Sequence, residues 1–174
     1  PCGAYGGPAF KELKGSYTNK EIVPVYFAPS GETVPYSTDG SKIVTAQFAN
    51  DFYAQLKSAG SIPFFNVNGK NEGGATTSAS GTATKFKGIL DDFRGFEAKI
   101  GVAARAKVEG NKITCDVKVE SYKDLPANLY YSVLVLENSV KGLQKISGKP
   151  DNNQYEHTNL VRASLVGDGS MKGQ

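Results

Sequence analysis

The chain of 174 residues has no tryptophan, one methionine, one histidine and two cysteines. Each scarcity closes a class of function. His157, Cys2 and Cys115 stand too far apart to give the clustered ligands that a metal site needs. Two distant cysteines make no disulfide framework, although a bridge stapling the N-terminal region to a distant strand stays open. No run approaches the roughly 20 apolar residues that span a bilayer. There is no basic n-region followed by an apolar h-region, so the chain reads as cytosolic, mature or trimmed. Lysine and arginine total 20 against 17 acidic residues, a net charge of +3, and the basic residues are scattered without interleaved aromatics. That gives a nucleic-acid groove no support. No cofactor is implied.

What is present suffices for a folded protein. Hydrophobic residues make up 39% of the chain, its aromatics are nine tyrosines and nine phenylalanines, and 20 glycines promise many turns. Residues 4–18 predict a helix, with Phe10, Leu13 and Tyr17 on one face and Pro8 tolerated in the first turn or kinking it. Ile22 to Ala28 is apolar on both faces, as a strand covered on both sides requires. A Pro/Gly/Ser/Thr-rich loop at 29–40 leads to a helix capped by Ser41 and ended near Gly60, with Val44, Phe48, Phe52 and Leu56 as its stripe. A strand follows at 62–67, Asn68-Gly69 signals a hairpin turn, and a polar strand is predicted at about 74–80. Phe86, Ile89, Leu90 and Phe93 mark a short helix ending near Gly95.

From Lys99 the apolar period becomes two. Ile100, Val102, Ala104, Ala106 and Val108 alternate with polar neighbours, Glu109-Gly110-Asn111 turns the chain, and Ile113, Cys115, Val117 and Val119 alternate on the way back. Leu129 to Leu136 reads as a central strand and Tyr155 to Leu165 as another alternating one. The expectation is an α+β chain: an α/β domain at 1–95 and an antiparallel β-sandwich domain at 96–174.

The order of the first half, with Pro1-Cys2 at the first helix and Ile62-Pro63 leading a strand, resembles thioredoxin over residues 1–94. Pro1-Cys2 looks like the end of a Cys-x-Pro-Cys motif, and Ile62-Pro63 like the family's cis-proline beside it. The resemblance implies Cys2 as the resolving thiol and Pro63 as its cis-proline neighbour. In such a motif the first thiol, its pKa lowered by the helix N-terminus, attacks as thiolate and the second resolves the mixed disulfide. That first cysteine, and the strand before it, would lie upstream of Pro1, so the chain reads as a fragment. The stretch 167–174 lacks a hydrophobic pattern, and the expectation is a β domain without its last strands.

The whole chain also resembles the Gram-negative outer-membrane lipoprotein family named after a twenty-eight-kilodalton outer membrane protein. The residues that carry this are Tyr155-x-His157-x-x-x-Val161-Arg162, preceded by YYSVLVLEN and followed by Gly167-Asp168, with the glycine-rich start Cys2 to Pro8. The resemblance implies a bacterial cell-envelope location, in the outer membrane or periplasm. It implies contact with the membrane only through an N-terminal lipid anchor that this chain does not contain.

Other candidates have plainer readings. Cys115 alternates with core-type residues and packs as a small hydrophobe. His157 has no nucleophile or co-ligand in its pattern, and Arg162 belongs on the opposite face. Asp91-Asp92 reads as a solvated helix end. Two functions stay open: a binding or interaction role toward an unknown protein or surface ligand, and thiol–disulfide exchange by a longer parent.

Overall fold

Helix α1 (Gly7–Ser16) is preceded by a wide π-type turn over Cys2–Gly6. Pro8 explains that widening: it has no N–H to bond the Ala4 carbonyl, and its ring crowds that carbonyl outward. The computed structural model describes residues 2–18, 21–26, 63–68, 70–125, 131–144, 146 and 148–165. The helix expected at 41–58, the loop at 29–40, Ile62, and the start of the strand expected at 129–136 lie outside the described residues.

Strand β1 (Phe64–Val67) turns at Asn68 into β2 (Lys70–Gly74). Asn68 has φ 49°, the left-handed conformation that a two-residue Asn-Gly turn demands. The polar strand expected at 74–80 is therefore earlier. Residues 76–78 instead start helix α2 (Ala79–Phe93), where Ser78 Oγ accepts from Gly81 N at 3.0 Å. The buried Thr82 hydroxyl donates to Ser78 O at 2.7 Å and accepts from Thr76 N at 2.9 Å, satisfying the helix start internally. Local side-chain bonds of this kind defeat an apparent strand pattern.

Ala9, Leu13 and Tyr17 of the first helical segment meet Ala83 and Phe86 of α2 and Val67 of β1 in the main core, flanked by Ile22, Phe65, Ile89, Leu90 and Phe93. The stripe is one residue off the expected Phe10-Leu13-Tyr17 set, because Phe10 turns instead toward Tyr26, ring centroids 6.4 Å apart. Tyr17 OH donates to Asp91 Oδ1 at 2.8 Å, and Lys87 and Arg94 pair with Asp91 and Glu21. Asp91 thus ties the two helices, a role that the solvated-end reading missed. Its carboxyl is held below the usual range by the Lys87 ammonium and the Tyr17 hydroxyl.

The remaining strands are β3 (Ile100–Glu109), β4 (Lys112–Ser121), β5 (Leu134–Glu137), β6 (Val140–Gln144), β7 (Asn152–His157) and β8 (Leu160–Ser164). Among the described residues the strands form four antiparallel pairs, β1-β2, β3-β4, β5-β8 and β6-β7. Helices and strands together make the fold α+β.

The last two pairs form one bent ribbon. Glu137 faces Leu160 and, further along in the same register, Val140 faces His157. The bend falls at Ser139 (φ 63°) and Asn159 (φ 56°), with Asn159 N bonded to Asn138 Oδ1 at 3.0 Å. The single strand expected from Tyr155 to Leu165 is broken there. Tyr26 docks on this corner as a parallel bridge to Leu160: Tyr26 N donates to Asn159 O at 2.9 Å, and Val161 N to Tyr26 O at 3.0 Å. Lys14 Nζ also donates to Asn159 Oδ1 at 2.5 Å. Contacts therefore cross between residues 1–95 and 96–174.

Candidate functional site

Three places combine the residues singled out by the sequence. The first is the turn Cys2–Gly6 with Pro63. Pro63 leads β1 into the sheet, and its ring lies against the buried Gly6: a Cβ on Gly6 would stand 2.6 Å from Pro63 Cγ and 2.9 Å from Pro63 Cβ. The structure thus brings Pro63 to the turn that carries Cys2. The Ile62–Pro63 peptide involves a residue outside the described set.

Gly6 was not foreseen as a contact residue, and the Gly6-Gly7-Pro8 run was its only signal. A proline ring cannot swing away as a flexible side chain can. Gly6→Ala is expected to cost about 1–3 kcal/mol through overpacking. Gly15→Ala is the control, because nothing lies within 4 Å of its Cβ. It is expected to be neutral or to gain up to about 1 kcal/mol. Equal urea midpoints for the two variants would refute the Gly6–Pro63 packing.

The second place is the ribbon corner. His157 is 4% exposed, its ring stacks on Tyr26 (centroids 5.7 Å, planes 6° apart) and meets Tyr155 edge-on at 4.9 Å. Lys11 Nζ lies 4.4 Å from the Tyr155 ring centroid. His157 Nε2 is buried with no hydrogen-bond partner among the described residues. Burial pushes its pKa below the ordinary 6.5, the Leu143 backbone opposes that, and Lys11 adds to the lowering.

The neutral ring is the folded form, and the unfolded chain takes up the proton first as pH falls. Stability is therefore full above about pH 6.5 and declines as pH drops toward the folded-state pKa. Because His157 is the one histidine, its imidazole resonances report the titration directly. A midpoint at or above 6.5 would contradict the burial. Arg162 does not meet His157; it pairs with Glu137 across the ribbon.

The third place is the β3–β4 hairpin. Its register is unbroken: Val102 faces Val119, Ala104 faces Val117, Ala106 faces Cys115 and Val108 faces Ile113. All of these side chains share one face. The opposite face carries Arg105 opposite Asp116, Ala103 opposite Lys118 and Gly101 opposite Glu120. The apolar face is open to solvent, with Val102 and Val108 each 68% exposed and Val119 49%. On that face Cys115, Val117 and Val119 line a groove of about 360 Å³ with Tyr131, Val133 and Leu165, and Cys115 and Val117 are half-buried there. Cys115 is a free thiol, half-buried in that groove rather than fully in a core.

Among the described residues no group of three or more His, Cys, Asp or Glu could hold a metal ion, and no helix is long and apolar enough to cross a membrane. No family model, curated protein or solved structure matches the chain.

Proposed function

We propose that the chain is part of a bacterial cell-envelope lipoprotein with a binding role, exercised through the apolar face of the β3–β4 hairpin. The observation that carries this is that face: two ten-residue strands with valines, alanines, an isoleucine and Cys115 on one side, exposed at Val102, Val108, Ile113 and Val119 and half-buried at Cys115 and Val117. Contiguous exposed apolar surface of this kind marks interaction sites.

The envelope location rests on the resemblance carried by Tyr155, His157, Val161 and Arg162, with attachment through a lipid anchor outside this chain. The same reading takes residues 1–95 as a thioredoxin-like domain and 96–174 as an antiparallel β-sandwich domain. The order α1, β1, β2, α2 with Pro63 at the head of β1 supports the first part. The test uses the dye anilinonaphthalene sulfonate as probe of the face. Its fluorescence enhancement is expected to be lost in Val119→Lys, with the circular dichroism unchanged. Equal enhancement in both proteins would remove the hairpin from the binding role.

A second reading has one observation in its favour, the Pro63 ring against the turn that carries Cys2. In it the parent protein exchanges thiols and disulfides, with an upstream cysteine as nucleophile, Cys2 resolving and Pro63 beside them. Reduction of a mixed disulfide by the longer protein and by its Cys2→Ser variant decides it. Equal rates would end the redox reading.

A further inference from the structure

The buried cluster of the ribbon corner stands apart from the main core: Val140 and Leu160 pack with Tyr26, and none of the three belongs to the α1, α2 and β1 packing. Several contacts join the N-terminal segment to this corner. They are the two backbone bonds of Tyr26 to Asn159 and Val161, the Lys14–Asn159 bond, the Lys11 ammonium over the Tyr155 ring, and the Tyr26 ring stacked on His157. His157 sits in the joint with no place for a second proton. Its neutral ring bonds to the Leu143 backbone and leaves Nε2 as a bare lone pair, buried and unpartnered. Among the described residues nothing around the ring supplies a counter-charge. Tyr26 and Tyr155 present their rings, Val140 faces His157 on β6, and Lys11 of α1 acts on it with the wrong sign. Glu156 alternates to the other face and accepts from Ser139 Oγ, Lys14 is bonded to Asn159, and Arg162 pairs with Glu137. An imidazolium would gain from the face of the Tyr26 ring. A buried, charged N–H without an acceptor costs more than that contact returns.

We propose that this corner is an acid-sensitive joint, in which protonation of His157 releases Tyr26 from the ribbon while the core of α1, α2 and β1 stays folded. Release gives the new Nε2–H water as its acceptor, and it uncovers Leu160 and Val140, which the closed joint buries. The closed joint holds the imidazole below its ordinary pKa of 6.5, and the open joint returns it to water. The closed form is therefore fully favoured above about pH 6.5. Below that, the opening equilibrium rises by up to about tenfold per pH unit until the closed-state pKa is reached. No residue of the β3–β4 hairpin takes part, so the joint acts whether or not the apolar face binds a partner.

Amide exchange followed by NMR from about pH 8 to about pH 4.5, expressed as protection relative to the free peptide rate, reads the opening. The Tyr26 and Val161 amides are expected to be less protected than those of α2 and to respond little to sub-denaturing urea. Below about pH 6.5 they are expected to lose protection by up to about tenfold per pH unit. Protection in α2 is expected to fall with urea, because it reports global unfolding. His157→Phe keeps an aromatic ring in the stack and removes the proton, so the acid loss at Tyr26 and Val161 is expected to vanish. Retention of that loss in His157→Phe would overturn the joint. Exchange at Tyr26 and Val161 that rises with urea in step with α2 would do the same, since it shows global unfolding alone. Flat protection across the pH range would also overturn it. Where circular dichroism shows that His157→Phe does not fold, the unsubstituted protein decides. Its protection loss must level off where the His157 imidazole resonances titrate, and a loss that continues past that pH breaks the link to His157.

Discussion

Phe86→Ala is expected to destabilise the protein by about 3–5 kcal/mol, the largest effect of any single truncation in the main core. Phe86 is 1% exposed and lies at the centre of the α1, α2 and β1 packing. Its ring stacks on Phe65 with centroids 4.2 Å apart and planes 24° apart, so the change removes both the buried area and an aromatic pair. Alanine is the better helix former, so α2 itself is not weakened and the loss reports packing alone. Neighbours cannot close the space easily, since Ala83 is small and Val67 is fixed in a strand. Urea unfolding followed by circular dichroism measures it, and a loss below about 1 kcal/mol would contradict the packing. Phe86→Leu, which keeps much of the volume, is expected to lose clearly less.

Leu160→Ala is expected to cost about 2–5 kcal/mol and to act at a different place. Leu160 is fully buried against Val140 and Tyr26, at the corner where the ribbon bends. Its backbone neighbours on both sides bond to Tyr26. Truncation therefore loosens the parallel bridge that, among the described residues, joins the segment after α1 to the ribbon. The Val161 amide, which donates to Tyr26 O, is expected to lose exchange protection before the amides of α2. Protection at Val161 unchanged by the substitution would show that Leu160 does not hold that joint.

Phe86 was legible as core because Ile89, Leu90 and Phe93 repeat with it at helical spacing, a signal contained within two turns. The β3–β4 hairpin was legible for the same kind of reason: alternation over both strands and a Gly-Asn turn need no distant partner. Asn68 in its left-handed turn was legible from the Asn-Gly pair itself. The start of α2 was not, because threonines and serines at 76–82 form capping bonds that only the folded turn reveals. The candidate site divides in the same way. Pro63 and Cys2 were marked by resemblance, while Gly6, which Pro63 touches, had no periodic signature.

By itself the sequence determined the local elements: the body of α1 with Leu13 and Tyr17 in the core, the body of α2, the Asn-Gly turn and the two-faced hairpin. Each follows from side-chain period and turn chemistry within a few residues. Tertiary structure decided the joints. It placed Tyr26 on Leu160 rather than leaving it to a continuous strand of the N-terminal half, bent the ribbon at Ser139 and Asn159, and buried the His157 ring between two tyrosines. The reason is physical. These contacts link residues far apart in the chain, and their energy depends on which surfaces remain to be covered once the local elements exist, a quantity that no local pattern carries.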